Sequence, residues 1–109
     1  MPDGQLLLAR YQGHPAGCVG LRRLDDHSCE MKRLFVSTEF HGHRIGRTLV
    51  ETLIHNARTF GYDSMRLDTG IHQTVAQTLY QSVGFQRIQP YYDVPETLAK
   101  GLVFMELTL

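Results

Sequence analysis

Apolar and polar positions along the chain change period several times, and each change marks an element. Residues 5–11 (QLLLARY) are apolar and strand-like, residues 12–17 (QGHPAG) carry turn chemistry, and residues 18–24 (CVGLRRL) read as a second strand. The two predict an antiparallel hairpin. A polar turn over residues 25–28 leads into a third strand over 29–36, and residues 37–46 interrupt the meander as a long loop. Residues 47–60 then place Leu49, Leu53, Ile54 and Ala57 at helical spacing, with Glu51, His55 and Arg58 on other faces. Gly61 is positioned to end that helix in a left-handed conformation. A short strand over 64–68 (SMRLD), a loop over 70–74, a helix over 75–83 closed by Gly84 and a strand over 85–88 follow. Residues 89–100 hold Pro90, Pro95 and the pair Tyr91 and Tyr92, and residues 102–107 form a strong final strand. Residues 1–3 read as a free end.

The order is strand-strand-strand-helix-strand-helix-strand-strand. An antiparallel meander leads into a βαβ unit whose two strands should run parallel. This predicts an α/β fold with a mixed sheet. A sheet that changes from antiparallel to parallel can splay, opening a cleft at strand ends where ligands bind. The stretch His41-Gly-His-Arg-Ile-Gly46 sits at that point, between a strand and a helix. Backbone N–H groups at a helix N-terminus suit a phosphate, so this loop is the first candidate for an anion site.

Bulk properties narrow the picture. A chain of 109 residues with 42% apolar content is sized for one modest core, and no repeat or linker divides it. Lys+Arg and Asp+Glu balance at 11 each, which shows no footprint for nucleic acid or an anionic membrane. A local basic patch from Arg22, Arg23, Lys32, Arg33, Arg44 and Arg47 remains compatible with that balance. Two cysteines, Cys18 and Cys29, with no secretory signal ahead of them, are expected as reduced thiols in a cytoplasm. No apolar run approaches the length of a membrane span. The six histidines include His41 and His43 in the loop but no HExxH or Cys-x-x-Cys arrangement, so no metal site is expected.

Four segments in order, EMKRLFV, HGHRIGRTLVETLI, RLDTG and AQTLYQSVGF, resemble the acetyl-CoA-binding core of the GNAT superfamily of N-acetyltransferases. The resemblance covers nearly the whole chain from about Leu6 and implies one GNAT-like domain over residues 1–109, with acetyl-CoA as co-substrate. The family's phosphate loop (Arg/Gln, two residues, Gly, one residue, Gly/Ala) falls here on His41, Arg44 and Gly46, so Arg44 occupies a glycine position. Gly42 matches an additional glycine of many members, and His43, Ile45 and Arg47 complete the implied cofactor loop. By the same resemblance, Leu34, Phe35 and Val36 offer backbone to the pantetheine arm, and Gln73 stands where many relatives carry an Asn. Tyr80 matches the tyrosine placed near the thioester sulfur, where a phenol of pKa about 10 can protonate a departing thiolate of about 8.5. Glu30 is implied as the general base that takes the amine proton, with Asp68 as the alternative base or as an anchor for the substrate cation. Tyr91 and Tyr92 resemble a late loop that walls the substrate cleft in one subgroup.

The resemblance also exposes a difference. A complete family domain opens with one more strand and a helix pair, and this chain starts near their second strand. A natural minimal form, a fragment, or a protomer completed by a partner would each account for that. A homodimer is expected, because apolar surface around Leu6, Leu8 and the Leu49/Leu53 helix would otherwise lack a cover. Two functions follow. One is direct acetyl transfer from acetyl-CoA to a small-molecule or protein amine. The other is a non-catalytic acyl-CoA-binding or partner-binding module that keeps the fold. A nucleotide-binding domain is disfavoured, since neither a Walker lysine pair nor a full GxGxxG follows the strand.

Overall fold

A computed structural model describes residues 4–109, and the free end expected over residues 1–3 lies outside the described residues. Strands β1 (Gly4–Tyr11), β2 (His14–Arg23) and β3 (Ser28–Val36) form the expected meander. Helix α1 (Ile45–Thr59) crosses to β4 (Ser64–Gly70), followed by α2 (Thr74–Ser82), β5 (Gln86–Ile88), a four-residue α3 (Glu96–Ala99) and β6 (Leu102–Thr108). The strands make one six-stranded sheet in the order β1-β2-β3-β4-β6-β5. Only β3 and β4 are parallel, as a strand-helix-strand crossover requires, and every other pair is antiparallel.

The core forms where the apolar face of α1 meets one face of the sheet. Leu49, Val50, Leu53, Ile54 and Ala57 are buried against Val19, Leu21, Met31, Met65, Leu67 and Met105. The helical spacing of those residues in the sequence therefore has its physical cause in one buried stripe. The same packing corrects part of the argument for a dimer. Leu49 and Leu53 are 4% and 0% exposed, covered by the chain's own sheet. Leu6 and Leu8, at 63% and 67%, are exposed on the edge strand β1 as expected.

Three local differences from the sequence reading have clear reasons. The first turn contracts to Gln12 and Gly13, both at positive φ, and β2 starts at His14. Pro15 is accommodated because it pairs with β1 at Arg10 and lies beyond the reach of β3, so its missing N–H interrupts no bond on that side. Helix α1 begins two residues early because Arg44 takes the N-cap position, which lets the buried Ile45 start the helix. Residues 37–46 also hold a 3-10 turn, Thr38–Phe40. Gly61 and Gly84 close their helices at φ of +93° and +112°, the left-handed stop expected of Gly61 and found at Gly84 as well.

Candidate active site

The loop before α1 builds an anion-receptive helix end. Gly42 and Arg44 sit at φ of +91° and +60°, which turns the chain so that α1 opens towards a cleft. No side chain caps this N-terminus and its first turn holds no acidic residue. The leading N–H groups of Ile45, Gly46 and Arg47 thus have no capping partner, and the helix dipole adds positive potential. Arg47 reaches across to α2, where its guanidinium donates to Ser82 Oγ at 2.5 Å and ties the two helices together.

The cleft has a volume of about 740 Å³. Among the residues singled out from the sequence, Leu34, Val36, His41, Gly42, Arg44, Ile45, Gly46, Arg47, Gln73 and Tyr80 line it. His41 is steadied by a 3.1 Å hydrogen bond between its Nε2 and the Val36 carbonyl. Phe35 and His43 are placed elsewhere. The Phe35 side chain is 61% exposed on the other face of β3, and the His43 ring stacks on Tyr11 at a centroid distance of 4.4 Å. Phe40, His72, Thr74, Val75, Ala76 and Leu79 complete the walls without having been singled out. Val75 gave the one usable signal, an apolar residue in the first turn of a helix, here 85% exposed with no core to cover it.

Behind the cleft the sheet splits. Strands β3 and β4 pair only from Ser28↔Ser64 to Glu30↔Arg66, then separate. On the β2 side of β3 the register slips between Cys18 and Gly20, where Arg33 adopts a φ of +58° as the extra residue of a β-bulge. The bulge bends the end of β3 away from β4 and leaves a gap of about 240 Å³. Leu34, Gln73 and Tyr80 line both this gap and the cleft. Gln73 is oriented by two donors to its Oε1, Thr69 Oγ1 at 2.8 Å and the Gly70 N–H at 2.9 Å, which leaves its amide nitrogen for a ligand carbonyl. Tyr80 is 7% exposed, and burial, helped by the nearby Asp68 charge, raises its phenol pKa above the ordinary 10. The hydroxyl therefore stays protonated at neutral pH.

On the far side of the gap lies a second pocket of about 400 Å³, and Lys32 and Asp68 line both spaces. Glu30, Asp68, Tyr91 and Tyr92 meet here, brought together from β3, β4 and the loop after β5. Tyr91 donates to Glu30 Oε2 at 2.5 Å, and Tyr92 donates to Asp68 Oδ2 at 2.8 Å. Arg22 and Lys32 approach Glu30 Oε1 at 3.2 and 3.3 Å. Neither cation is aligned for a hydrogen bond to that oxygen, so the attraction is one of charge. Edge-to-face packing of Tyr91, Tyr92 and Phe104, at centroid distances of 5.2 to 5.6 Å, holds the tyrosines over the carboxylates. Burial and then the Asp68 hydrogen bond push the Tyr92 phenol up to about 12, and burial followed by Glu30 raises Tyr91 further. The basic residues noted in the sequence form no single patch: Arg44 and Arg47 lie at the cleft, Arg22 and Lys32 at the pocket and Arg33 at the gap, while Arg23 pairs with Asp26 outside all three. Arg66 joins Arg22 and Lys32 at the pocket unforeseen, because only the strand register brings it opposite Glu30.

No helix among the described residues is long and apolar enough to cross a membrane, and none of their His, Cys, Asp and Glu side chains form a group of three or more that could hold a metal. Comparison with known proteins gives consistent results. The family model for the acetyltransferase (GNAT) family matches residues 1–85. An uncharacterized N-acetyltransferase of Schizosaccharomyces pombe is 38% identical over 99% of this chain and 66% of its own length. The human protein named N-acetyltransferase 8 is 41% identical over 73% of this chain and 37% of its own. The chain thus spans between about a third and two thirds of the length of such relatives. Among solved structures, a Klebsiella pneumoniae protein named as an acyl-CoA N-acyltransferase superposes with a TM-score of 0.88 at 32% identity, covering 100% of this chain and 76% of that one. A GNAT family acetyltransferase from Elizabethkingia anophelis with acetyl-CoA bound gives 0.83 at 25% identity, over 98% and 77% of the two chains. Split sheet, uncapped helix end and family match agree, and the chain belongs to the acetyltransferase (GNAT) family.

Proposed function

We propose that the protein transfers an acetyl group from acetyl-CoA directly to a primary amine of a small molecule or protein. The observation that carries this reading is the series of three joined spaces. The cleft and the gap share Leu34, Gln73 and Tyr80, and the gap and the second pocket share Lys32 and Asp68. An extended thioester and an amine entering from opposite sides would therefore meet at the split in the sheet. In this reading the N–H groups at the start of α1, with Arg44 and Arg47, hold the pyrophosphate. The end of β3 and Gln73 hold the pantetheine amides. The amine nitrogen attacks the carbonyl carbon, the C–S bond breaks, and the Tyr80 hydroxyl gives its proton to the departing thiolate. The proton lost by the amine passes to a carboxylate.

Two carboxylates are available for that proton. Glu30, the first candidate from the sequence, is 2% exposed and already meets Tyr91, Arg22 and Lys32. Asp68 stands in the gap itself and makes no ion pair among the described residues, so we assign it to the amine and Glu30 to fixing the groups around it. A homodimer belongs to the same reading, with the exposed Leu6 and Leu8 on β1 as its apolar surface. Light scattering that finds only a monomer at micromolar concentration would remove it.

Calorimetry with acetyl-CoA and release of free thiol against a panel of amines test the function. Tyr80→Phe should lower kcat by about a hundredfold while acetyl-CoA affinity changes far less. Asp68→Asn should lower the rate more than Glu30→Gln. No acetyl-CoA binding and no thiol release would end the proposal, whereas binding without turnover would leave only an acyl-CoA-binding module.

A further inference from the structure

The strand register arranges charge in the second pocket in two rows. In the first, Arg22 of β2 pairs with Glu30 of β3, Glu30 with Arg66 of β4, and Arg66 with Glu106 of β6. Positive and negative alternate across four strands. Arg66 Nε donates to Glu106 Oε2 at 2.7 Å, and Arg22 lies at 3.2 Å from Glu30, so this row neutralises itself. Two residues further along β3 and β4, on the same face, come Lys32 and Asp68. Here the strands have parted, and a single cation and a single anion flank the opening. Lys32 can only share Glu30 with Arg22, which leaves that corner one positive charge in excess. Among the described residues Asp68 receives only the neutral Tyr92 hydroxyl, on Oδ2, which leaves Oδ1 for a donor and one negative charge in excess.

We infer that the acceptor is a compact zwitterion of the α-amino acid type, its ammonium on Asp68 and its carboxylate on Lys32 with the outer donors of Arg22. The inference rests on the acetyl-transfer reading and narrows its acceptor. A polyamine or a basic peptide would bring extra positive charge against Lys32, Arg22 and Arg66, and the one further carboxylate lining the pocket, Asp25, is already engaged by the His27 and Ser28 N–H groups. A zwitterion completes the second row as Arg22, Glu30, Arg66 and Glu106 complete the first. Because Asp68 also lines the gap with Tyr80, the amine bound there faces the position of the thioester. Lys32 lines the gap as well as the pocket, so it is the outer donors of Arg22, at the pocket alone, that would draw the carboxylate away from the thioester.

The test compares matched acceptors on the 109-residue chain: L-phenylalanine, phenethylamine (the same amine without its carboxylate) and spermidine. Turnover with acetyl-CoA should favour phenylalanine over phenethylamine by about tenfold or more in kcat/KM, the scale of one charge-assisted contact, with spermidine poorest. Lys32→Met should bring the ratio of phenylalanine to phenethylamine close to one, and Lys32→Glu should shift preference towards the polyamine. Calorimetry of each acceptor in the presence of CoA supplies a readout that needs no turnover. Preferential binding of phenylalanine without acetylation would uphold the pocket assignment while ending the transferase reading. Acetylation with equal or better use of phenethylamine, or a ratio untouched by Lys32→Met, would overturn the zwitterion and leave the transferase. Neither binding nor turnover of phenylalanine would also overturn it.

Discussion

Arg44 holds a backbone conformation that costs an L-residue about 1–2 kcal/mol, at the point where the phosphate loop turns into α1. The sequence flagged the position as a glycine site of the family occupied by a bulky residue. The structure shows the turn made all the same, with the strain absorbed by the docking of the buried Ile45 next to it. Arg44→Gly should therefore raise stability, by up to about 1 kcal/mol once the added flexibility of glycine in the unfolded chain is subtracted. Arg44→Ala removes the same side chain but keeps the strain, so it should leave stability nearly unchanged. Urea unfolding of the two variants checks this, and equal midpoints would refute it. Tyr80 was legible because its motif is local to one helix. Arg66 was not, since a residue's cross-strand neighbours depend on register rather than on its own segment.

At the scale of elements, strand and helix positions were largely readable from period and turn chemistry, while the bulge at Arg33 was not. An extra residue in a strand leaves no trace in composition. It arises because the end of β3 must follow β2 and leave β4. Gly17 makes that bend possible. A Cβ at this position would lie 2.5 Å from the Phe35 carbonyl oxygen and 3.3 Å from Leu49 Cδ1, so β2, β3 and α1 converge on a site with no room for a side chain. Gly17→Ala should destabilise the protein by about 1–3 kcal/mol through this overpacking. It should also weaken acetyl-CoA binding, because Leu34 and Val36 on the displaced strand line the cleft. A thermal midpoint equal to that of the parent chain would contradict the close packing described here.

Across the whole molecule, stability should depend on alkaline pH through groups that the core keeps neutral. The Cys29 thiol is fully buried, and that burial pushes its pKa from 9.0 up to about 12. A folded-state pKa above the unfolded one gives stability that is complete below pH 9 and is lost as pH rises towards 12. The loss from Cys29 is about 1 kcal/mol by pH 10. Tyr80, Tyr91 and Tyr92, all raised, add to it in the same direction above pH 10. Urea midpoints measured from pH 8 to 10.5 should fall, and Cys29→Ala should flatten the part between 9 and 10. A flat profile in the parent chain would show that Cys29 is not shielded as described. What was readable in the chain alone was what short-range physics sets: the alternation of strands and helices, the left-handed helix stop at Gly61, the end of α2 at Gly84, and the turn that opens α1. Recognition of the family then named ten of the residues that line the cleft, while Phe35 and His43 fell elsewhere. The splay itself was expected where the sheet turns parallel, but the bulge at Arg33 beside it, the position of Asp68 inside it, and the charge rows from Arg22 to Glu106 came only with the fold. Each depends on which residues face one another across strands far apart in sequence, and that is decided by register and by the burial of α1 on the sheet.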